Sequence, residues 1–152
     1  MGVKCLHLLD ASDLKILCLQ VFVPTSDDEM AAWEATLAES VIDLPSFADA
    51  QDTPLVASAG GIPTATFVQD GVAFIVSMET EEDDEIEAQL SCEFFARLVE
   101  GVCDKSLSPS KVTSFAGKII TVLDEAVEHG VILHEHVDSH LRGAKLKLPQ
   151  TL

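Results

Sequence analysis

The sequence predicts an α+β domain with the element order β-β-α-β-β-β-α-α, followed by a polar tail. Five short apolar runs bounded by turn residues indicate strands. Three longer segments with apolar residues every three or four positions indicate amphipathic helices. The 152 residues are 47% apolar, which is enough to form a hydrophobic core and too much for a disordered acidic chain. We therefore expect one globular domain over residues 1–135 and a polar, basic tail over residues 136–152.

The first two strands are expected to form a hairpin. Val3 to Leu9 and Leu14 to Val23 are apolar runs joined by the turn residues Asp10 to Asp13. This loop length suits antiparallel neighbours. Because the second run is almost continuously apolar, it predicts a strand that is covered on both faces.

The first helix is expected after Pro24. Ser26 and Glu29 have the spacing of a capping box, which marks a helix N-terminus. The apolar positions that follow have helical spacing: Met30, Trp33, Leu37 and Val41. Trp33 is the single tryptophan and belongs to this stripe, so we expect it in the core rather than at a binding surface.

Three more strands are expected in the middle of the chain. The runs are Pro54 to Ser58, Ile62 to Val68 and Val72 to Met78. Gly60-Gly61 separates the first pair and Asp70-Gly71 the second. An Asp-Gly pair between two apolar runs is a strong signal for a hairpin turn.

Two helices are expected to complete the domain. The first has an apolar residue at every fourth position: Ile86, Leu90, Phe94, Leu98 and Val102. The second begins at Ser108-Pro109, an N-cap followed by a first-turn proline. It continues to Gly130, where a left-handed residue would end the helix. A short apolar run, Val131 to Leu133, follows.

Charge and motifs exclude several classes of function. The chain has 26 acidic and 9 basic residues and a net charge of −17, which disfavours binding to nucleic acid or to an anionic membrane surface. The sequence contains neither a glycine-rich phosphate loop nor a serine-hydrolase elbow. We therefore expect a protein that is not an enzyme, with no cofactor and no small-molecule substrate. The cysteines lack metal-ligand spacing and are expected to be buried free thiols: Cys5, Cys18, Cys92 and Cys103.

Three polar clusters each allow two interpretations. The seven acids between Glu79 and Glu87 suit a solvated loop leading into a helix, or a calcium site without the EF-hand order. The three histidines of His134 to His140 suit an exposed linker or a divalent metal site. Arg142, Lys145 and Lys147, with leucines between them, suit a solvated tail or a segment that docks on a partner.

The order of elements resembles the longin fold, and the local sequence resembles the small subunits of vesicle-coat and adaptor complexes. Leu55 to Met78 is similar to the middle hairpins of the coatomer zeta and clathrin-adaptor sigma subunits, and Leu90 to Phe95 to the start of their long helix. The most specific likeness is the string from Val122 to Leu133. Together with Leu141-Arg142-Gly143, this string favours the coatomer zeta kind over the sigma kind.

This resemblance implies a longin-like five-stranded antiparallel sheet with one helix on one face and the two C-terminal helices on the other. It also implies a cytoplasmic, non-enzymatic subunit that packs against a large α-solenoid subunit, a gamma-like coatomer chain. Such a subunit would be peripheral on Golgi membranes and COPI-type vesicles. The residues expected at the partner interface are Phe94, Phe95, Leu98, Val131, Ile132, Leu133, Leu141 and Arg142.

Three alternatives stay open at this point. Two keep the fold and change the complex: a sigma-like clathrin adaptor subunit, and a sedlin-like subunit of the TRAPP tethering complex. The third is an enzyme or a ligand-sensing domain of α+β type outside this family, which would need a preorganised pocket with convergent polar groups.

Overall fold

A five-stranded antiparallel sheet carries helices on both of its faces. The computed structural model describes residues 2–42, 54–128 and 130–132. The strands are β1 (Val3–Asp10), β2 (Ile16–Val21), β3 (Leu55–Ala59), β4 (Ile62–Gln69), β5 (Val72–Met78), and the short β6 (Val127–Glu128) and β7 (Val131–Ile132). The helices are α1 (Asp27–Leu37), α2 (Glu85–Val102), α3 (Pro109–Ser114) and α4 (Ala116–Ala126). The strand order in the sheet is β2-β1-β5-β4-β3, which confirms the predicted fold class.

The alternation of side chains along β5 divides the core into two layers. Ala73 and Ile75 point to the face that is covered by α1. Phe74, Val76 and Met78 point to the opposite face, where they join the apolar residues of α2, α3 and α4 in the larger part of the core. The predicted placement of one helix on one face and the C-terminal helices on the other is therefore confirmed.

Tight turns join the central strands where the sequence predicted them. Asp70 and Gly71 have φ values of 50° and 81° between β4 and β5, and Gly60 and Gly61 have values of 57° and 84° between β3 and β4. Positive φ at both central residues defines the turn whose twist matches that of two antiparallel strands. These turns fix the register of three neighbouring strands.

Helix α1 begins at its predicted N-cap, where the Ser26 hydroxyl oxygen accepts a hydrogen bond from the Glu29 amide at 3.2 Å. The helix continues into a wider π turn over Ala38–Ile42. Trp33 is 7% exposed and packs on the sheet, which confirms its predicted core position. Lys4 Nζ lies 5.2 Å from the centroid of its ring, within the range of a cation–π contact.

Strand β2 departs from the prediction that it is covered on both faces. It is an edge strand, and Ile16 and Val21 are exposed while Cys18 is buried. Helices α3 and α4 pack against this strand and cover one of its faces. The other face is only partly covered, and Ile16 and Val21 remain exposed there. An apolar run therefore marked the strand correctly but did not predict its burial, because burial depends on which elements pack against each face.

The last predicted helix is divided into α3 and α4, with Phe115 between them. The helix ends at Ala126 and not at Gly130, because Val127 has the extended φ of −127° that begins a short hairpin. Gly130 has the predicted positive φ, 83°, but adopts it in the β6–β7 turn. The boundary predicted at residue 135 lies outside the described residues and stays a prediction.

Candidate partner-binding groove

The N-terminus of α2 organises the acidic segment from Glu79 to Glu87. The Asp84 carboxylate accepts a hydrogen bond from the Ile86 amide at 2.8 Å and caps the helix. The Asp83 carboxylate accepts from the Thr80 amide at 2.7 Å and from the Thr80 hydroxyl at 3.1 Å. The segment is thus a capped entry to a helix, where negative charge is favoured by the helix dipole.

Helix α2 presents two apolar stripes to different surroundings. The stripe that faces the sheet consists of small and large buried residues at helical spacing: Ala88, Cys92, Phe95 and Val99. The stripe predicted from the sequence is divided along its length. Phe94 and Leu98 are buried, whereas Ile86 and Leu90 are 65% and 58% exposed. The N-terminal half of α2 therefore offers apolar side chains to the surface.

A groove of about 440 Å³ lies between the exposed half of α2 and the β6–β7 hairpin. Its apolar lining comes from the start of β1, from α2 and from β7: Val3, Leu90, Phe94, Val131 and Ile132. Val131 is 52% exposed at the rim of the groove. The hydrogen bond from the Val3 amide to the Gly130 carbonyl oxygen, at 2.7 Å, holds the hairpin against β1 and so fixes one wall.

The polar side chains of the groove are few: two are acidic, one is basic and one is a hydroxyl. Glu87 and Glu93 contribute two carboxylates, and Arg97 contributes a positive charge. Ser91 is buried on the floor. Large apolar side chains with a small number of charged groups around them are typical of a site that binds a protein segment, because the apolar surface supplies the affinity and the charges select the partner.

Three of the residues predicted at a partner interface meet in this groove: Phe94, Val131 and Ile132. Phe95 and Leu98 are wholly buried instead. The ring of Phe95 stacks on that of Phe22 with 5.6 Å between centroids, and Leu98 belongs to the core on the same face of the sheet. Their position makes them core residues of the isolated chain, and their contact with a partner stays a prediction.

The other predicted interface residues, Leu133, Leu141 and Arg142, lie outside the described residues. Sequence analysis did not identify Ile86 and Leu90 as exposed, because a stripe with a spacing of four residues is expected to face the core. The small residues Ala88 and Cys92 were the available sequence signal for the side of α2 that contacts the sheet. They allow α2 to approach the sheet closely, and they lie on a different side of the helix from Leu90.

A second polar cluster lies under α1. His7 is buried, its Nε2 lies 3.7 Å from the Glu34 carboxylate, and its Nδ1 lies 3.9 Å from the Cys5 sulfur. Burial lowers the pKa of His7, and the nearby Glu34 carboxylate opposes this shift. Burial also raises the pKa of Cys5 to about 11, so the thiol is protonated at neutral pH and is a poor nucleophile.

All four cysteines are buried and free, as predicted. Among the described residues, no three His, Cys, Asp or Glu side chains are grouped so that they could hold a metal ion. The cluster from His134 to His140 lies outside the described part of the chain, so its metal interpretation stays untested. No helix in residues 2–42, 54–128 or 130–132 is both long and apolar enough to span a bilayer.

The fold is similar to that of a chain in a structure described as a homology model of the full-length AP-3 complex in a stretched open conformation. The TM-score is 0.62 at 10% sequence identity, and the match covers 95% of this chain and 92% of the other. No protein-family model matches the sequence, and no curated protein matches it. The similarity supports the longin-like α+β fold.

Proposed function

We propose that this protein is a non-enzymatic small subunit of a vesicle-coat complex, of the coatomer zeta kind, that packs against a large α-solenoid subunit. The observation that carries the proposal is the exposed apolar surface formed by Ile86, Leu90 and Val131 on a longin-like domain. Exposed apolar side chains next to a groove are unfavourable in water unless a partner covers them.

The position of the most specific sequence likeness supports the same surface. The string from Val122 to Leu133 begins in α4 and passes through β6 and β7. Its residues Gly130, Val131 and Ile132 line the groove. The segment that resembles small coat subunits is therefore also the segment that forms one wall of the candidate interface.

The particular complex is part of the proposal. Coatomer zeta implies a gamma-like large subunit, COPI-type vesicles and Golgi membranes. A sigma-like adaptor subunit and a sedlin-like tethering subunit share the fold and differ in the chain that they bind. The fold similarity to a chain of the AP-3 structure supports a subunit of coat or adaptor type.

Pull-down of the full-length protein with identification of captured chains by mass spectrometry tests the proposal. We expect a gamma-like coatomer chain to be captured, and we expect Leu90→Asp to reduce its recovery by about tenfold or more, because a charge would be buried in an apolar interface. Ile120→Asp is the matched control, since Ile120 is a 37% exposed apolar residue on α4.

Three results would contradict the proposal in different ways. Capture of an adaptor large chain or of TRAPP subunits would replace the zeta assignment by one of the alternatives. Equal loss in Leu90→Asp and Ile120→Asp would place the interface elsewhere. Absence of any large coat or tethering chain would exclude the subunit function.

A further inference from the structure

We propose that the basic, leucine-containing end of this chain, residues 141–148, docks in cis on the groove between α2 and the β6–β7 hairpin. In the proposed subunit it would cover the apolar surface until a large subunit displaces it, a consequence that rests on the proposed function. The docking itself is a property of the isolated chain.

Chain connectivity places this segment within reach of the groove. Ile132 lines the groove and is the last described residue, so the chain continues from the groove itself. Leu141 is nine positions after Ile132, which is a reach of roughly 30 Å when extended. The stretch of α2 from Ile86 to Arg97 rises by only about 17 Å, so the whole groove is accessible.

The two surfaces are complementary in charge. The groove carries the carboxylates of Glu87 and Glu93, with Arg97 as an opposing charge. The acidic segment from Glu79 to Glu87 lies at the same end of α2. The docking segment has three cations and no acidic residue: Arg142, Lys145 and Lys147. Opposite charges next to an apolar contact select the partner and its orientation.

The two surfaces also match in apolar content. The segment offers three leucines between and beside its cations: Leu141, Leu146 and Leu148. The groove region offers three exposed apolar side chains: Ile86, Leu90 and Val131. A tether of this length gives an effective concentration of about a millimolar, so even a weak intrinsic affinity is enough for cis occupancy.

Limited trypsin digestion of the full-length protein tests the contact, because Arg142, Lys145 and Lys147 are themselves cleavage sites. We expect cleavage at these sites to be about tenfold slower than in a synthetic peptide of residues 138–152, since proteolysis follows the population of the undocked state. Cleavage in the intact chain as fast as in the peptide would overturn the proposal.

Two pairs of variants separate docking from other sources of protection. Leu90→Asp should abolish the protection, whereas Ile120→Asp on α4 should preserve it. Glu87→Gln should weaken the protection and make it less dependent on salt, whereas Glu82→Gln, an exposed acid outside the groove lining, should not. The glutamine variants keep the test valid if Leu90→Asp does not fold. Equal effects within each pair would overturn the proposal.

The dependence on protein concentration distinguishes docking in cis from occupation of the groove by a second copy of the chain. Cis docking predicts protection that is the same at every protein concentration. Protection that rises with concentration, together with a dimer in sedimentation, would show that a second copy covers the groove and would overturn the cis contact. A result against docking leaves the pull-down test of the proposed function unaffected, because that test measures a different partner.

Discussion

The indole Nε1 of Trp33 donates a hydrogen bond to the Ser77 hydroxyl oxygen at 2.9 Å, and this bond joins α1 to β5 at the centre of the sheet. Both side chains are buried. The contact therefore satisfies two polar groups inside a mostly apolar layer, where an unpaired donor would be costly.

Loss of this bond should destabilise the domain. We expect Ser77→Ala to lower the free energy of unfolding by about 1–3 kcal/mol, because it leaves the Trp33 N–H buried without an acceptor. Denaturant titration monitored by Trp33 fluorescence measures the change. Thr80→Ala, which removes a half-buried hydroxyl two residues after the end of β5, is a control expected to have a smaller effect. Equal unfolding midpoints for Ser77→Ala and the natural protein would contradict the role assigned to the bond.

His7 should make stability decrease in mild acid. Burial lowers the pKa of His7 below its ordinary value, while the Glu34 carboxylate opposes this shift and the Cys5 sulfur lies 3.9 Å from its Nδ1. The unfolded chain binds a proton at His7 more readily than the folded chain does. Stability is therefore fully present above the unfolded pKa of about 6.5 and falls below it, by up to about 1.4 kcal/mol per pH unit.

Unfolding measured as a function of pH in the natural protein and in His7→Gln tests this expectation. The variant should lose the pH dependence between about pH 6.5 and 5, a range above the ordinary pKa of carboxyl groups. Glu34→Gln should make the dependence steeper, because the Glu34 carboxylate raises the pKa of His7. If the free energy of unfolding changes with pH equally in His7→Gln and in the natural protein, the pH dependence belongs to other titratable groups.

Substitutions at two glycines should have opposite effects on stability. A Cβ at Gly130, where φ is 83°, would lie 2.7 Å from the Val3 carbonyl oxygen, so Gly130→Ala should destabilise the domain by about 1–3 kcal/mol. A Cβ at Gly117 on α4 meets no atom within 4 Å. Gly117→Ala should therefore stabilise the protein by about 0.5–1 kcal/mol. Thermal unfolding of both variants measures the contrast, and a stabilised Gly130→Ala would show that the β6–β7 hairpin does not hold against β1.

The cysteines should react with thiol reagents only after unfolding. Burial raises the pKa of all four thiols: Cys5, Cys18, Cys92 and Cys103. We expect little modification by Ellman's reagent in the native protein and complete modification in concentrated guanidinium, because the reactive thiolate is suppressed and enclosed. Rapid reaction of one native thiol would identify a cysteine that is not buried in solution.

Local sequence patterns were sufficient for much of the fold. The Asp70-Gly71 pair specified a tight turn because a glycine and an aspartate tolerate positive φ. Ser26 specified a helix start because its hydroxyl can accept a backbone amide. The stripe that contains Trp33 was assigned correctly to the core, because α1 has only one apolar face.

The same patterns did not determine which apolar side chains stay at the surface. Leu90 and Phe94 are four residues apart on α2, yet one is exposed and the other buried. The edge strand β2 is apolar at every position except Gln20, yet Ile16 and Val21 are exposed. Spacing along the chain specifies which side chains share a face, but burial depends on elements that are distant in sequence.

The sequence by itself therefore determined the order of the five strands of the main sheet and of α1 and α2, the turns between the central strands, the start of α1, and the assignment of Trp33 to the core. Only the tertiary structure decided that Gly130 contacts Val3, that His7 is buried beside Glu34, and that Leu90 lies at an open groove. Turns and caps depend on interactions between residues a few positions apart. The groove depends on β1, α2 and β7, which meet only after the chain has folded.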